Sequence, residues 1–157
     1  MLFRSNNAAE NGLIIGVLLT IIFIPVYVAV RNARLQKKKR INDELTNIQA
    51  THQLSFSVTD HLDSFALALD QDKKMIAQIP FNPAEAVLIN LKEISNCWLQ
   101  EKKQGKAVQL LQLQFRNKDG HTVNQIVFYK QYVDNEQNLK QTQKIATQWE
   151  TLIKRLI

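Results

Sequence analysis

The sequence predicts an α+β protein: an N-terminal transmembrane helix and helical stalk, then an antiparallel β meander or partly open barrel capped by a C-terminal amphipathic helix. Three observations support this fold class. Residues 13–30 form a run of eighteen uncharged and mostly apolar residues. Residues 65–130 contain short apolar or alternating runs separated by turn residues, which is typical of antiparallel strands. Residues 139–156 repeat apolar side chains at intervals of three and four, which is the period of a helix.

Residues 13–30 are predicted to cross a membrane, because a helix of that length spans about 27 Å, close to the thickness of a bilayer's hydrocarbon layer. A cleaved signal peptide would have a shorter apolar region with its basic residues in front of it. An interfacial helix would show a polar face, and this segment has none. Pro25 predicts a mild kink. Gly12 and Gly16 have the spacing that lets two helices approach closely, so they are candidate helix-packing residues.

A basic run follows the apolar segment at once, and it predicts the orientation of the chain. It contains Arg31, Arg34, Lys37, Lys38, Lys39 and Arg40. Because Lys and Arg are retained in the cytoplasm during insertion, we expect a cell-membrane protein with residues 1–12 outside and the remainder of the chain after the helix in the cytoplasm. The same six side chains are also candidates for contact with anionic lipid.

The charge of the rest of the chain disfavours nucleic-acid binding. Residues 41–157 hold 13 basic and 13 acidic side chains, so the excess positive charge lies beside the membrane segment. A domain that binds nucleic acid usually carries its own excess of Lys and Arg to contact phosphates.

The elements after the membrane segment follow from local pattern. Residues 31–55 lack Gly and Pro and are predicted to form a basic helical stalk. Residues 56–157 are predicted to form one cytoplasmic domain. It would begin with a hairpin at 65–79, ended by Pro80 and Pro83. Further strands are predicted at 87–91, 94–102, 108–115 and 122–130, with turns at Gly105 and at Asp119–Gly120, and a helix with Trp149 in its apolar face would follow from residue 139.

The order of hairpin, short strands, longer hairpin and final helix is carried by FALALDQDKKMIAQI (65–79), VLINLKEISNCWLQ (87–100), LLQLQF (110–115), TVNQIVFYK (122–130) and WETLIKRLI (149–157). In this order the chain resembles bacterial membrane-anchored proteins with a pleckstrin-homology-like (PH-like) domain. The resemblance implies a ligand that is a phosphoinositide, a peptide or another protein. Lipid binders of that family place basic residues on the first hairpin, but here Lys73 and Lys74 stand beside Asp70 and Asp72. We therefore expect a protein or peptide in a groove beside the final helix, with strand addition as one mode, and no phosphoinositide.

Few residues suggest chemistry. Cys97 is the only cysteine, which excludes an intramolecular disulfide and predicts a buried thiol. Trp98 is predicted to point inward, with a role beside Lys73 and Lys74 in ligand contact as the alternative. The three histidines are scattered, so the sequence predicts no metal site, and it predicts no cofactor and no enzymatic activity.

The expected function is therefore that of a single-pass, membrane-anchored binding or scaffolding module presenting a PH-like domain at the cytoplasmic membrane face. Two alternatives remain open: a structural subunit of a membrane protein complex, and an accessory enzyme that uses Asp60, His61 and Asp63.

Overall fold

The computed structural model describes residues 6–81 and 85–157, without the side chains of residues 6–19 and of Arg34. The chain divides into two compact units, Met1–Asn42 and Asp43–Ile157. Pro83, one of the two predicted strand terminators, lies outside the described residues.

The N-terminal unit consists of most of a single long helix, α1 (Asn6–His52), which contains Pro25. Helix α1 includes the predicted membrane segment and most of the predicted stalk, 31–55, and it ends at His52. The helix-packing prediction for Gly12 and Gly16 falls outside the part of α1 whose side-chain environment is described. Within the described residues, no helical stretch reaches the length and hydropathy of a membrane span.

The end of α1 lies in the second unit and is closed by a left-handed residue. Gln53 has φ +52°, and the amide of Leu54 donates to the carbonyl of Gln49 at 3.0 Å. This is the Schellman arrangement, in which the chain reverses direction and satisfies a carbonyl of the last turn. Ile48 and Leu54 are buried at this point, so the end of the stalk takes part in the packing of the folded unit.

The second unit is an α+β fold with two antiparallel sheets, which confirms the predicted class but not a single continuous meander. The first sheet has the order β1 (Val58–His61), β2 (Phe65–Asp70), β3 (Met75–Pro80) and β4 (Val87–Asn90). The second has the order β5 (Ile94–Gln104), β6 (Ala107–Asn117) and β7 (Thr122–Lys130), and the helix α2 (Leu139–Lys154) follows. Short 3₁₀ turns lie at Leu91–Glu93 and Glu136–Asn138. Among the described residues the two sheets do not close into a barrel.

One hydrophobic core joins both sheets to α2. It contains Leu67, Leu113, Phe115, Tyr129 and Trp149, all at most 2% exposed. The prediction that Trp149 belongs to the core is confirmed.

Strand β2 is more deeply buried than its sequence predicts. Leu67 and Leu69 point toward the core, while Ala66 and Ala68 point to the opposite face of the sheet, yet all four are fully buried. The alternating pattern of residues 65–70 predicts a half-buried strand, and this prediction is wrong. Alternation in sequence does not reveal whether the alanine face is buried as well.

A buried carboxylate joins the end of α1 to the β2–β3 turn. Asp70 is 1% exposed; its Oδ2 accepts from the amide of Ser55 at 2.6 Å, and its Oδ1 accepts from the amide of Lys73 at 2.8 Å. Burial alone would raise the pKa of Asp70, but these backbone hydrogen bonds outweigh it and lower the pKa below its usual 3.8. The Lys73 ammonium group also donates to the carbonyl of His52 at 3.2 Å, so the turn holds the helix end twice.

The structure of β5 confirms the prediction of a buried Cys97 and contradicts the predicted position of Trp98. Cys97 is fully buried, and burial raises the pKa of its thiol to about 11. Trp98, the next residue, therefore points to the outer face of the sheet, where it is half-buried and the guanidinium of Arg116 lies 4.8 Å from its ring centroid. The predicted inward position of Trp98 is wrong because successive residues of a strand point to opposite faces.

Candidate binding groove

An open groove of about 400 Å³ lies between strand β1 and helix α2. Its lining comprises Val58 and Asp60 of the strand, and Thr147, Gln148, Trp149, Thr151, Leu152 and Arg155 of the helix and its end. The groove lies beside the final helix, where the resemblance to PH-like domains implies contact with a protein or peptide.

The amphipathic pattern of α2 determines which side chains face the groove. Ala146, Trp149 and Ile153, spaced by three and four, are buried in the core. The intervening positions Thr147 and Thr151 are exposed. The helix thus presents a polar, uncharged flank beside β1, with the partly buried Leu152 as an apolar contact.

Two acidic residues fix the helix in this position. The indole Nε1 of Trp149 donates to Asp60 Oδ2 at 2.8 Å. The side-chain amide of Asn138, just before α2, donates to both carboxylate oxygens of Asp63 at 3.1 and 3.0 Å. These hydrogen bonds tie α2 to β1 at Trp149, and tie the residue before α2 to the residues after β1 at Asn138.

These contacts bear on the alternative in which Asp60, His61 and Asp63 act as an enzyme site. Asp60 and His61 are neighbours in β1, so their side chains leave opposite faces of the strand. His61 and Asp63 line a separate hollow of about 100 Å³, whereas Asp60 lines the larger groove. The fold does not bring the three side chains into one site.

Strand β1 is at the edge of its sheet. It pairs with β2 from Val58↔Leu69 to His61↔Ala66 and has no second strand neighbour among residues 6–81 and 85–157. An edge strand presents alternate backbone N–H and C=O groups that an extended peptide can pair with. The groove and the edge are adjacent, so a peptide that paired with β1 would place side chains against α2.

The charges around the groove are unevenly arranged. Glu150 is occupied on the far side of the helix, where its Oε1 accepts from the amide of Leu99 at 3.1 Å and from Lys154 Nζ at 2.8 Å. Asp60 is bound by the indole of Trp149. The exposed guanidinium of Arg155 has no ion-pair partner within the described part of the chain. The groove therefore has a cation, Arg155, at its helix end and a carboxylate, Asp60, on its strand side.

The other residues singled out in the sequence are separate from this groove. Lys73 and Lys74 form the β2–β3 turn, in which Lys74 has φ +58°, and Trp98 lies in the other sheet. The six basic residues of the run after the apolar segment all belong to α1; of these, Arg31, Lys37, Lys38, Lys39 and Arg40 are exposed, and the side chain of Arg34 is outside the described set.

Sequence reasoning did not identify Val58, Gln148 or Arg155 as groove residues. Strand β1 has only four residues, VTDH; half-buried and exposed positions alternate along it in the structure, but a segment this short gives no clear pattern in the sequence. Nothing local in the sequence indicates that the indole of Trp149 reaches back to Asp60, 89 positions earlier.

Comparison of the chain with protein-family models, curated proteins and solved structures finds no match to any of them.

Proposed function

We propose that this chain is a single-pass, membrane-anchored binding module whose PH-like body, on the cytoplasmic side of the membrane, takes an extended peptide in the groove between β1 and α2. The observation that supports the membrane anchor is the exposed apolar surface of α1. Ile21, Ile22, Phe23 and Ile24 are 62%, 60%, 63% and 60% exposed.

Four consecutive residues of a helix point in four directions about 100° apart, so this part of α1 is apolar on every side. A soluble surface helix keeps a polar face, and a helix that is apolar all round requires apolar surroundings. Val26, Val28 and Val30 extend the exposed apolar surface to the end of the segment at residue 30. The sequence is free of charged residues from residue 13 to residue 30, so residues 13–30 are long enough to span a bilayer. The hydrocarbon layer of the bilayer provides the apolar surroundings that such a helix requires.

The basic run supports an orientation with the folded unit in the cytoplasm, by the retention of Lys and Arg on that side. The order of a four-stranded sheet, a three-stranded sheet and a final helix is compatible with a PH-like body. A module held in the membrane plane has a raised effective concentration for partners held in the same plane. Its role is then to bind rather than to react.

A test of anchoring uses the full-length chain and alkaline extraction of membranes. We expect the chain to stay in the membrane pellet. The variant Ile21→Lys/Ile24→Lys should move to the supernatant, because each lysine near the centre of a span costs about 2.5 to 3.5 kcal/mol. The control Leu35→Lys changes an exposed apolar residue of the same helix beyond the predicted span and should remain in the pellet. A full-length chain in the aqueous fraction would refute the anchoring.

A test of the groove uses a photo-crosslinking amino acid at Gln148, with the same group at Lys118 in the β6–β7 turn as the control. We expect an adduct from position 148 only, and mass spectrometry should place it on one short segment of the partner. Thr151→Trp, which fills the groove from an exposed position, should abolish the adduct. Equal adducts from both positions, or an adduct that survives Thr151→Trp, would argue against a groove ligand.

The enzyme alternative is separated from binding by Asp60→Asn and Asp63→Asn. An asparagine oxygen still accepts from Trp149 or Asn138, whereas an amide cannot act as a general acid or base. Binding should persist in Asp63→Asn, because Asp63 lies outside the groove, whereas Asp60 lines it. Loss of cellular function in Asp63→Asn, with its melting temperature unchanged, would favour the enzyme alternative.

A further inference from the structure

A second surface of the body combines lysines with an exposed aromatic side chain. We name it the lysine–tyrosine face, made of Lys102, Lys106, Leu110, Lys130 and Tyr132. It lies at the end of the second sheet, on the β5–β6 hairpin and just after β7, and includes an open hollow of about 290 Å³.

The strand register places these residues together. Lys102 pairs with Leu110 on β6, and Leu110 pairs with Lys130 on β7. Residues directly opposite in antiparallel strands point to the same face, so two lysines flank one partly buried leucine in a row across the sheet. Lys106 is exposed in the turn of the hairpin.

Tyr132 follows this row and is 91% exposed, with Val133 beside it at 69%. Tyr132 also has φ +67°, a left-handed conformation that is costly for a bulky side chain. The exposed ring of Tyr132 does not contribute to the core. Backbone strain of this kind is concentrated at functional sites.

Two acids near this face, Glu101 and Asp134, accept hydrogen bonds or pair with other groups. Glu101 accepts from Gln143 at 3.0 Å and pairs with Lys103 at 3.3 Å. Asp134 accepts from the amide of Lys130 at 2.7 Å and from the hydroxyl of Ser64. Lys102, Lys106 and Lys130 are exposed and have no ion-pair partner within the described part of the chain, so they present their charge to solvent.

We propose that the lysine–tyrosine face docks on an anionic lipid surface, a contact distinct from both the basic run of α1 and the peptide groove. Its three cations are all lysines, which act as flexible point charges toward head groups, whereas recognition of one acidic peptide usually uses the planar fork of arginine. Tyrosine has the amphipathic character of residues that settle at the boundary between head groups and hydrocarbon. Charge and apolar contact thus match one partner, a negatively charged bilayer.

The test uses the full-length chain with a fluorophore on Gln104→Cys, at the tip of the β5–β6 hairpin. The native thiol stays unlabelled because Cys97 is fully buried and its pKa is raised to about 11. The chain is reconstituted into neutral vesicles and into vesicles with about one third phosphatidylserine, each containing spin-labelled lipid as quencher. We expect quenching in the anionic vesicles only, and loss of it in 0.5 M salt.

The variant Lys102→Gln/Lys106→Gln/Lys130→Gln should lower the ratio of docked to undocked body about 100-fold, since each lysine near an anionic surface is worth about fivefold. The matched control Lys118→Gln/Lys140→Gln/Lys144→Gln removes the same charge from exposed positions elsewhere and should dock as the native chain does. Tyr132→Ser should weaken docking while leaving the melting temperature unchanged or higher.

Equal quenching in neutral and anionic vesicles, or full quenching in the triple variant of the face, would overturn the proposal. Tight binding of a soluble polyglutamate peptide without any quenching by anionic vesicles would assign the face to an acidic protein instead. Anchoring is scored separately, by alkaline extraction of the same vesicles. If the chain is extracted, it is added to preformed vesicles, and the same quenching measurement still decides the lipid contact.

Discussion

Removal of the buried carboxylate of Asp70 should clearly lower the stability of the folded unit. It accepts from two backbone amides, those of Ser55 and Lys73, and holds the end of α1 on the β2–β3 turn. In Asp70→Ala both amides lose their acceptor. Leaving a buried polar group unpaired costs about 1 to 3 kcal/mol.

Because both hydrogen bonds are only partly buried, water can replace some of what is lost, and we expect about 2 to 3 kcal/mol of destabilisation in total. For a folded unit of this size, 1 kcal/mol corresponds to about 4 °C, so the melting temperature should fall by about 10 °C. The melting temperature of Asp70→Asn should lie between those of Asp70→Ala and the native chain, because the single amide oxygen of asparagine can replace only one of the two carboxylate acceptors.

The assay is thermal unfolding of the full-length chain in mild detergent, followed by near-ultraviolet circular dichroism. The control is Asp72→Ala in the same turn, an exposed side chain whose loss should change stability by less than about 0.5 kcal/mol. The folded-state pKa of Asp70 lies below 3.8, so its contribution is present above that pH and is lost as the pH falls through the folded value. The difference between native chain and Asp70→Asn should therefore narrow below about pH 3.8. A fall for Asp70→Ala no larger than that for Asp72→Ala would refute the reasoning.

Three further predictions concern α1, the groove and the core thiol. Gln53→Gly should raise stability by about 0.5 to 1 kcal/mol in the same melting assay, because glycine adopts φ +52° without strain; a decrease would contradict the left-handed cap. Asp60→Ala should cost about 1 to 2 kcal/mol by leaving the indole of Trp149 unpaired, and Asp60→Asn clearly less; equal losses would contradict the hydrogen bond as the cause. Cys97 should react with a maleimide at pH 7 only as the chain unfolds in denaturant, and rapid labelling of the native chain would contradict its burial.

Long and regular patterns made the fold class and most of the elements predictable. Strand β7 (Thr122–Lys130) has the predicted bounds, and α2 begins at the predicted Leu139, because alternation and three–four spacing depend only on local geometry. Strand β1 was missed because a four-residue edge strand with two exposed polar positions resembles a loop.

The remaining errors concern what lies on the second face of a strand. The inward prediction for Trp98 failed because the smaller Cys97 takes the core position, and neighbours in a strand cannot share a face. The residues that line the groove beside α2 could not be predicted, because they depend on contacts between chain segments far apart in sequence. Asp60 illustrates this: in sequence it is one of a pair of acids near a histidine, and in the fold it accepts the indole of Trp149.

The orientation of the anchored chain is tested most directly by a membrane-impermeant maleimide on two single-cysteine variants, Asn7→Cys and Lys118→Cys. The buried native thiol gives no background, and Lys118 is exposed in the β6–β7 turn, away from both proposed binding surfaces. We expect Asn7→Cys to be labelled in intact cells and Lys118→Cys only after the membrane is permeabilised. Labelling of Lys118→Cys in intact cells would contradict a cytoplasmic body, and recovery of either protein in the aqueous fraction would contradict the membrane anchor.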